Sequence, residues 1–487
     1  MKSSSIISEH SLVIKSFEIS HGNYQNLNKE THPEDIELTR AVFTVFKIAI
    51  PSSLTLYVEY MCLFLNVLFI GFVDDPILLG GLGLGIFLVT HLMLSWGVGL
   101  CGGLDTLVSQ AFGRNELKLC GTYLNTSRII LCILFVPQFL VLFNSKYFLV
   151  AIGQPEETAE IAQTYARISL IGEFFHVQFE ATRRFLMNQG IFTPVLYCLA
   201  ISTLSHIVGL FLAIFYFESG VEGVATATLI SATLSFVLVQ VYVNFNKEIV
   251  LSEKWFFQDI EAVRMIPEYL KYGLSTTVMT CLEWLGYDIL NIFAGLLGPK
   301  KQTAFVIMMQ VWYILAWNSF GITYSCTGLI GSALGENKPK TARKYSYAAL
   351  IVGYSENIVL LVLYTIFRSD IISLFTTDEE INDLINGSFV LYLTMVFNDL
   401  SAQVCGGIVR AVGAQNKGAI IQITSLWVIA VPSAFLVGVY FEYGFKGLWY
   451  IPPFGVLCIH AGYVALVLLA SWKKVAAEAS TKLSALN

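Results

Sequence analysis

The sequence predicts an all-α polytopic membrane protein, twelve transmembrane helices in two pseudo-symmetric lobes of six. Three observations predict it. Of 487 residues, 55% are hydrophobic and 13% charged, about half the charged share of a soluble globular protein. Apolar stretches of about twenty residues, the length that crosses a hydrocarbon core, recur from Ile48 to Trp472. The octapeptide YFESGVEG at 216–223 returns as YFEYGFKG at 440–447.

Taken in order, the spans read as 48–72, 77–103, 121–143, 160–186, 191–216, 222–245, 271–297, 303–330, 345–367, 383–408, 418–440 and 447–471. The fourth contains Arg167, Glu173, His176 and Glu180 and would fail on hydropathy alone; its neighbours require it. Residues 1–40 are polar and lack the basic start, apolar stretch and cleavage site of a secretory signal, so the first span itself directs insertion. Lys and Arg then fix orientation. With the N-terminus inside, 23 of the 29 fall on one side and six on the other. The second side carries Asp74, Asp75, Glu156, Glu157, Glu218, Asp378, Glu379 and Glu380. Both termini are therefore expected in the cytosol, which twelve crossings allow. The nine cysteines sit in or beside spans and read as small apolar residues.

Other pairs fall at the octapeptide's offset of 224 or within two residues of it. Lys47, Glu59 and Gly71 match Lys271, Glu283 and Gly295; Gly113, Asn115 and Tyr123 match Gly335, Asn337 and Tyr345; Arg184 and Gln189 match Arg410 and Gln415. The chain divides into a tail (1–40), an N-terminal lobe (41–245), an inter-lobe loop (246–270, with Lys247, Lys254 and Arg264), a C-terminal lobe (271–472) and a tail (473–487). Six spans per half give both halves one orientation, so their axis lies along the membrane normal and a substrate belongs between them. A channel would want rings of like residues, and an intramembrane enzyme would want a metal-ligand cluster or a nucleophile-base arrangement, of which the sequence has none.

Several segments carry a family resemblance: CLEWLGYDILNIFAGLLG (281–298), LDTLVSQAFG (104–113), YARISLIG (165–172), RRFLMNQG (183–190), GSALGENKPKTAR (331–343) and CGGIVRAVGAQNKGA (405–419). In this order they resemble eukaryotic multidrug and toxic compound extrusion (MATE) transporters over roughly 41–472. The resemblance implies two six-helix lobes rocking about a central cavity. It also implies an antiporter that exports organic cations, drugs or metabolites in exchange for protons, with a sodium-coupled exporter or a lipid flippase of related architecture as the alternatives. The expected partners are a small organic solute and the bilayer, with no nucleic acid, no cofactor or metal, and a monomeric chain in the plasma membrane or a vacuolar or vesicular membrane. Departures from the family pattern are Leu329 and Ser332 around the GSALG segment and Ser275 where the seventh span usually opens on proline.

Coupling needs a group that gains a proton on one side and loses it on the other, and a carboxyl in a low-dielectric cavity suits. Glu283 matches the seventh-span glutamate of the family, Asp288 its second acid and Asp399 an acid of the tenth span. Five residues on a helix separate Glu283 and Asp288 by about 140°, which sends one to the cavity and the other to a helix interface. The repeat mates of Glu283 and Asp399 are Glu59 and Glu173, and His176 shares a helix face with Glu173 and Glu180. Glu59, Glu173 and His176 are thus read as a second titrating site, and Glu180 as an ion-pair partner of Arg183 and Arg184. Trp284, Tyr287, Trp312, Tyr313 and Trp317 could offer aromatic faces to a cation or serve as packing. His91, His206 and His460 read as hydrogen bonders between helices. Gly113 with Asn115, and Gly335 with Asn337, read as helix caps, and GGLGLG (80–85) as a close-packing surface.

Overall fold

A computed structural model describes residues 33–73, 75–246, 249 and 259–481. Expectations that fall on residues 1–32, Asp74, Lys247, Lys254 and 482–487 lie outside the described residues.

Among the described residues there is no strand. Twelve long helices run in sequence. Ten are long and apolar enough to cross a bilayer: α1 (Leu38–Gly71), α2 (Ile77–Gly113), α3 (Leu117–Phe143), α5 (Thr193–Tyr216), α6 (Gly220–Phe245), α8 (Pro299–Gly335), α9 (Pro339–Ser373), α10 (Glu379–Ala411), α11 (Gln415–Tyr440) and α12 (Gly444–Leu468). The other two, α4 (Glu156–Met187) and α7 (Ile266–Leu296), are 32 and 31 residues long and more polar. They hold the acids that the sequence singles out.

The helices overrun the apolar spans, mostly at the end that carries Arg114, Lys338 and both described termini, called here the basic end. α1 begins at Leu38 rather than near 48, because Arg40 and Lys47 end an apolar count without ending a helix. α7 begins at Ile266 rather than 271, with a proline in its first turn, where the missing N–H costs nothing. Part of the expected inter-lobe loop is a short helix, Ile260–Arg264, capped by the Asp259 side chain. The tails need the same correction. Ile36 is buried, Thr341 bonds the Pro33 carbonyl and Lys344 pairs with Asp35 at 2.6 Å. Beyond α12, helix α13 (Trp472–Thr481) buries Trp472, Ala476 and Ala479 against α8 and α9. Those residues share a helical face, so the signal stood in the sequence.

Packing repeats with the sequence. In the first six helices α1 packs on α5, α2 on α4 and α4 on α6; in the second six, α7 packs on α11, α8 on α10 and α10 on α12. Left-handed backbone recurs at matched positions, at Asn115 and Asn337 and at Glu218 and Glu442. Both octapeptides begin on the last residue of a π-helical turn, Leu212–Tyr216 and Phe435–Tyr440. Gly220 and Gly444 take positive φ of 52° and 65° inside the two octapeptides, a backbone state open chiefly to glycine. The turn is spelled twice because it is built twice.

The lobes meet through α1 with α8, α2 with α7, and α2 with α8. The last crossing brings mates face to face. Ser109 sits against Gly331, and Gly113 against Gly335, so the pseudo-two-fold axis passes between them. A Cβ on Gly113 would collide with the Ser332 carbonyl, and one on Gly335 with the Gln110 carbonyl. This refines the capping expectation. Asn115 and Asn337 are the left-handed caps, while the two glycines allow the backbones to touch. Of the GGLGLG run, only Gly81 and Gly85 press on α4, against Ile161 and Tyr165.

Ties between lobes are dense at the basic end. Thr106 donates to the Arg410 carbonyl (2.6 Å), Gln110 to the Ala411 carbonyl (3.0 Å) and Arg114 to the Ala479 carbonyl. Towards the opposite, acidic end the last ties are Tyr60 to Gln310 (2.7 Å) and His91 to Asp288. Nearer that end, among the described residues, no hydrogen bond or ion pair joins the lobes. They close at one end and part at the other.

Candidate functional site

Between the lobes lies a cavity partly open to solvent and lined by both halves. Its C-lobe wall holds two carboxylates. Glu283 on α7 accepts from Gln403 of α10 and from Gln422 of α11 (3.1 Å), and Tyr463 of α12 donates to Gln422 (2.7 Å). Asp399 on α10 is 4% exposed and accepts from the Tyr287 hydroxyl and the Trp312 indole N–H, both at 2.8 Å. Every donor in this pair of sites is neutral. No lysine, arginine or histidine lies within ion-pair distance of either acid among the described residues, so neither charge has a fixed counter-charge.

The N-lobe wall is built differently from matched positions. Glu59 on α1 pairs with Arg183 and with His176 (3.1 Å) on α4. Glu180 pairs with Arg183 and with Arg184 (2.6 Å), and Arg184 reaches Asp105 of α2 at 3.1 Å. Asp105 also accepts from Asn188 (3.3 Å) and from Arg410 of the C-lobe (3.1 Å). Glu180, Asp105, Arg183 and Arg184 are nearly inaccessible to solvent, and charge is tolerated there because each is paired and hydrogen-bonded. At offset 226, His176, Glu180 and Arg183 correspond to Ala402, Gly406 and Val409. The repeat therefore places acids in both lobes but bases beside only one set.

The structure gathers the sequence-derived residues unevenly. Glu283, Asp399, Glu59, Trp284, Tyr287, Trp312, Tyr313 and Trp317 line the cavity. Asp288, Glu173 and His176 do not. Asp288 pairs across the lobes with His91, which sits in a π-helical turn, Thr90–Leu94, of α2; such turns concentrate at functional positions. Glu173 is buried one turn before His176. Tyr287 and Trp312 spend their polar atoms on Asp399, so they position an acid in addition to presenting a ring. His206 bonds Asn66 (2.9 Å) and His460 bonds Tyr354 (2.7 Å), both ties between neighbouring helices of one lobe. Glu180 is an ion-pair residue, though in the interior rather than at an interface with solvent. Sequence reasoning missed Asp105, Gln403, Gln422 and Arg410 as site residues. Asp105 is a lone acid in an apolar run, and that alone was a usable signal.

Outside the spans, Lys344 holds the Asp35 carboxyl below its usual range through their hydrogen bond. Glu156, followed by Glu160, holds the Lys146 ammonium above its own. Both are surface pairs far from the cavity.

The MatE family profile matches residues 51–212 and 276–436, once per lobe and in the register of the repeat. This chain belongs to the MATE family. Its members are transporters, not enzymes, and this chain is a multi-pass membrane transporter of that family. Similar proteins include Multidrug and toxin extrusion protein 1 of Danio rerio, 26% identical over 90% of this chain and 74% of the relative, and Protein DETOXIFICATION 48 of Arabidopsis thaliana, 27% identical over 94% and 86%. The fold resembles the crystal structure of the eukaryotic MATE transporter AtDTX14, with a TM-score of 0.85 at 22% identity over 91% of this chain and 99% of that one. It also resembles a multidrug resistance MATE family transporter in its outward-facing conformation, with a TM-score of 0.78 at 18% identity over 91% and 97%. In this MATE chain the two-lobed fold agrees with those neighbours.

Proposed function

We propose that this transporter exports organic cations in exchange for protons, and that Glu283 and Asp399 are the carboxyls that alternate between proton and substrate. One observation carries the reading: two acids share a cavity, and each is satisfied only by neutral donors. A carboxylate without a built-in counter-charge is left to take its positive partner from outside, as a proton or as a bound cation. Five aromatic side chains line the same cavity, and a desolvated aromatic face attracts an organic cation by up to about 2 kcal/mol. With the basic end in the cytosol, as the Lys and Arg distribution favours, the lobes are open outward, the state in which an exporter releases cargo and takes up protons.

Asp288 enters the proposal as an inter-lobe tie with His91. We propose the N-lobe trio as a second, weaker exchange site, with Glu173 and His176 as the groups that change charge, since Arg183 gives Glu59 a permanent partner. The test is efflux of ethidium from vesicles that contain the full chain under an opposing proton gradient, with and without sodium. Gradient-driven efflux is expected without sodium, and Glu283→Gln is expected to reduce it at least about tenfold. Efflux that follows sodium, or a Glu283→Gln variant that exports normally, removes the reading.

A further inference from the structure

Arg184 and Arg410 are mates in the repeat, and both donate to one oxygen of Asp105, at 3.1 Å each. The mate of Asp105 is Thr327, whose hydroxyl is taken up by the carbonyls of Thr323 and Gly407. One carboxylate therefore serves two equivalent guanidiniums from opposite lobes. Asp105 and Arg184 belong to the N-lobe and Arg410 to the C-lobe, so parting the basic end must cost Asp105 one of its partners.

The flanking residues decide which. One turn before Arg184 stands Glu180, bonded to its Nε at 2.6 Å. One turn before Arg410 the matched position is Gly406, and a Cβ built there would lie 3.6 Å from Arg410 Nη1. Arg184 is pinned within its own lobe, whereas the guanidinium of Arg410 rests over a glycine that offers no anchoring carboxylate, beside the Tyr463 ring. The C-lobe acids line the same cavity. Gln403, which holds Glu283, is seven residues before Arg410 on the same helix face, about 10.5 Å along the axis, and Arg410 and Glu283 line one cavity.

We propose that Arg410 is a mobile positioning residue that links separation of the lobes at the basic end to proton release from Glu283; this rests on the proton-exchange reading above. The groups around Arg410 are Asp105 on α2, which it bonds, and Arg184 on α4, which shares that carboxylate, with Glu180 behind Arg184; Glu283 on α7, Tyr324 on α8, Tyr463 on α12 and Asp399 on its own helix line the same cavity. When Asp105 withdraws with its lobe, Glu283 is an acid of the same cavity without a fixed counter-charge. The Glu283 O–H bond then breaks, the proton passes to cavity water on the side now open, and the carboxylate pairs with the guanidinium, which stays charged throughout. Closure of the basic end returns Arg410 to Asp105 and leaves Glu283 to take a proton from the other side.

The test compares wild type, Gly406→Glu, Arg410→Gln and Arg410→Lys, reconstituted as full chains in equal amounts after size-exclusion chromatography. Two rates are read: proton-gradient-driven ethidium transport, and ethidium exchange at equal pH on both sides. Gly406→Glu gives Arg410 the fixed partner that Arg184 has. It and Arg410→Gln are expected to lower driven transport at least about tenfold and exchange by less than about threefold, with Arg410→Lys restoring most of the driven rate. Retained driven transport in both damaged variants overturns the inference, as does an equal fall in both rates, which marks a merely structural role. Wild-type transport indifferent to the proton gradient overturns the exchange reading and this inference together, before any variant is compared.

Discussion

Gly113→Ala should tilt the molecule towards a state in which the basic ends are apart. The new Cβ would collide with the Ser332 carbonyl oxygen, with the carbonyl carbon and Cα behind it at 2.7 and 2.8 Å. All three atoms are backbone, so no rotamer change relieves them, and the cost belongs near the top of the overpacking range, about 3 kcal/mol. Alanine returns up to about 1 kcal/mol through better helix propensity. The contact exists only while the lobes are closed at this end, so the net of about 2 kcal/mol acts on the conformational equilibrium and shifts it roughly thirtyfold. Spin labels at the exposed Lys118 and Lys340, with the partly exposed thiols Cys62, Cys132 and Cys458 replaced by serine, would read it as a longer distance population. An unchanged distance distribution would refute the idea that α2 and α8 seal the basic end by backbone contact.

Tyr287→Phe and Trp312→Phe each remove one neutral donor from Asp399; a hydrogen bond to a charged group contributes about 1.5–3 kcal/mol, so each should slow driven ethidium transport by roughly tenfold or more, and wild-type rates in both would dismiss Asp399. Glu59→Gln leaves Arg183 with Glu180 alone and His176 without its carboxylate, a smaller loss than the roughly 3–5 kcal/mol of a buried charge left wholly unpaired; a thermal shift assay should show reduced stability and the pH profile of transport should shift through His176, and a variant with wild-type stability and profile would dismiss the N-lobe trio. The Asp35–Lys344 pair predicts a pH effect of definite sign. A carboxyl held below its unfolded value stabilises the fold above that value and loses the contribution as pH falls through the native one, so residues 33–40 should become more open to an acid-active protease below about pH 4, and Asp35→Asn should abolish the change.

Much of the fold was legible because the signals were local or repeated. Apolar length marks ten helices without help. α4 would fail on hydropathy alone and is required by its neighbours, and the repeat supports both polar helices, since Glu173 of α4 matches Asp399 of α10 and Glu283 of α7 matches Glu59 of α1. What escaped was set by convergence in space. Nothing near Asp105 in the chain announces that arginines from two other helices meet it, and nothing near His91 names Asp288. The caps show a finer limit. A glycine two residues before an asparagine fits a helix end, but only the approach of a second backbone tells which residue turns the chain and which makes room. For the site, Glu283 and Asp399 could be named from sequence, while their partners Gln403 and Gln422 could not, because an uncharged amide in a membrane helix looks the same whether it grips an acid or a neighbouring carbonyl.

Because the acid at the centre of the molecule has threonine as its counterpart, the two halves are no longer interchangeable. A dimer of first halves would bring two aspartates together on the axis, and a dimer of second halves would set two guanidiniums against each other with no anion between them. A gene that began as two equal copies has become a pair of complementary parts. Expressed separately, the halves should recover a folded whole only when both are present.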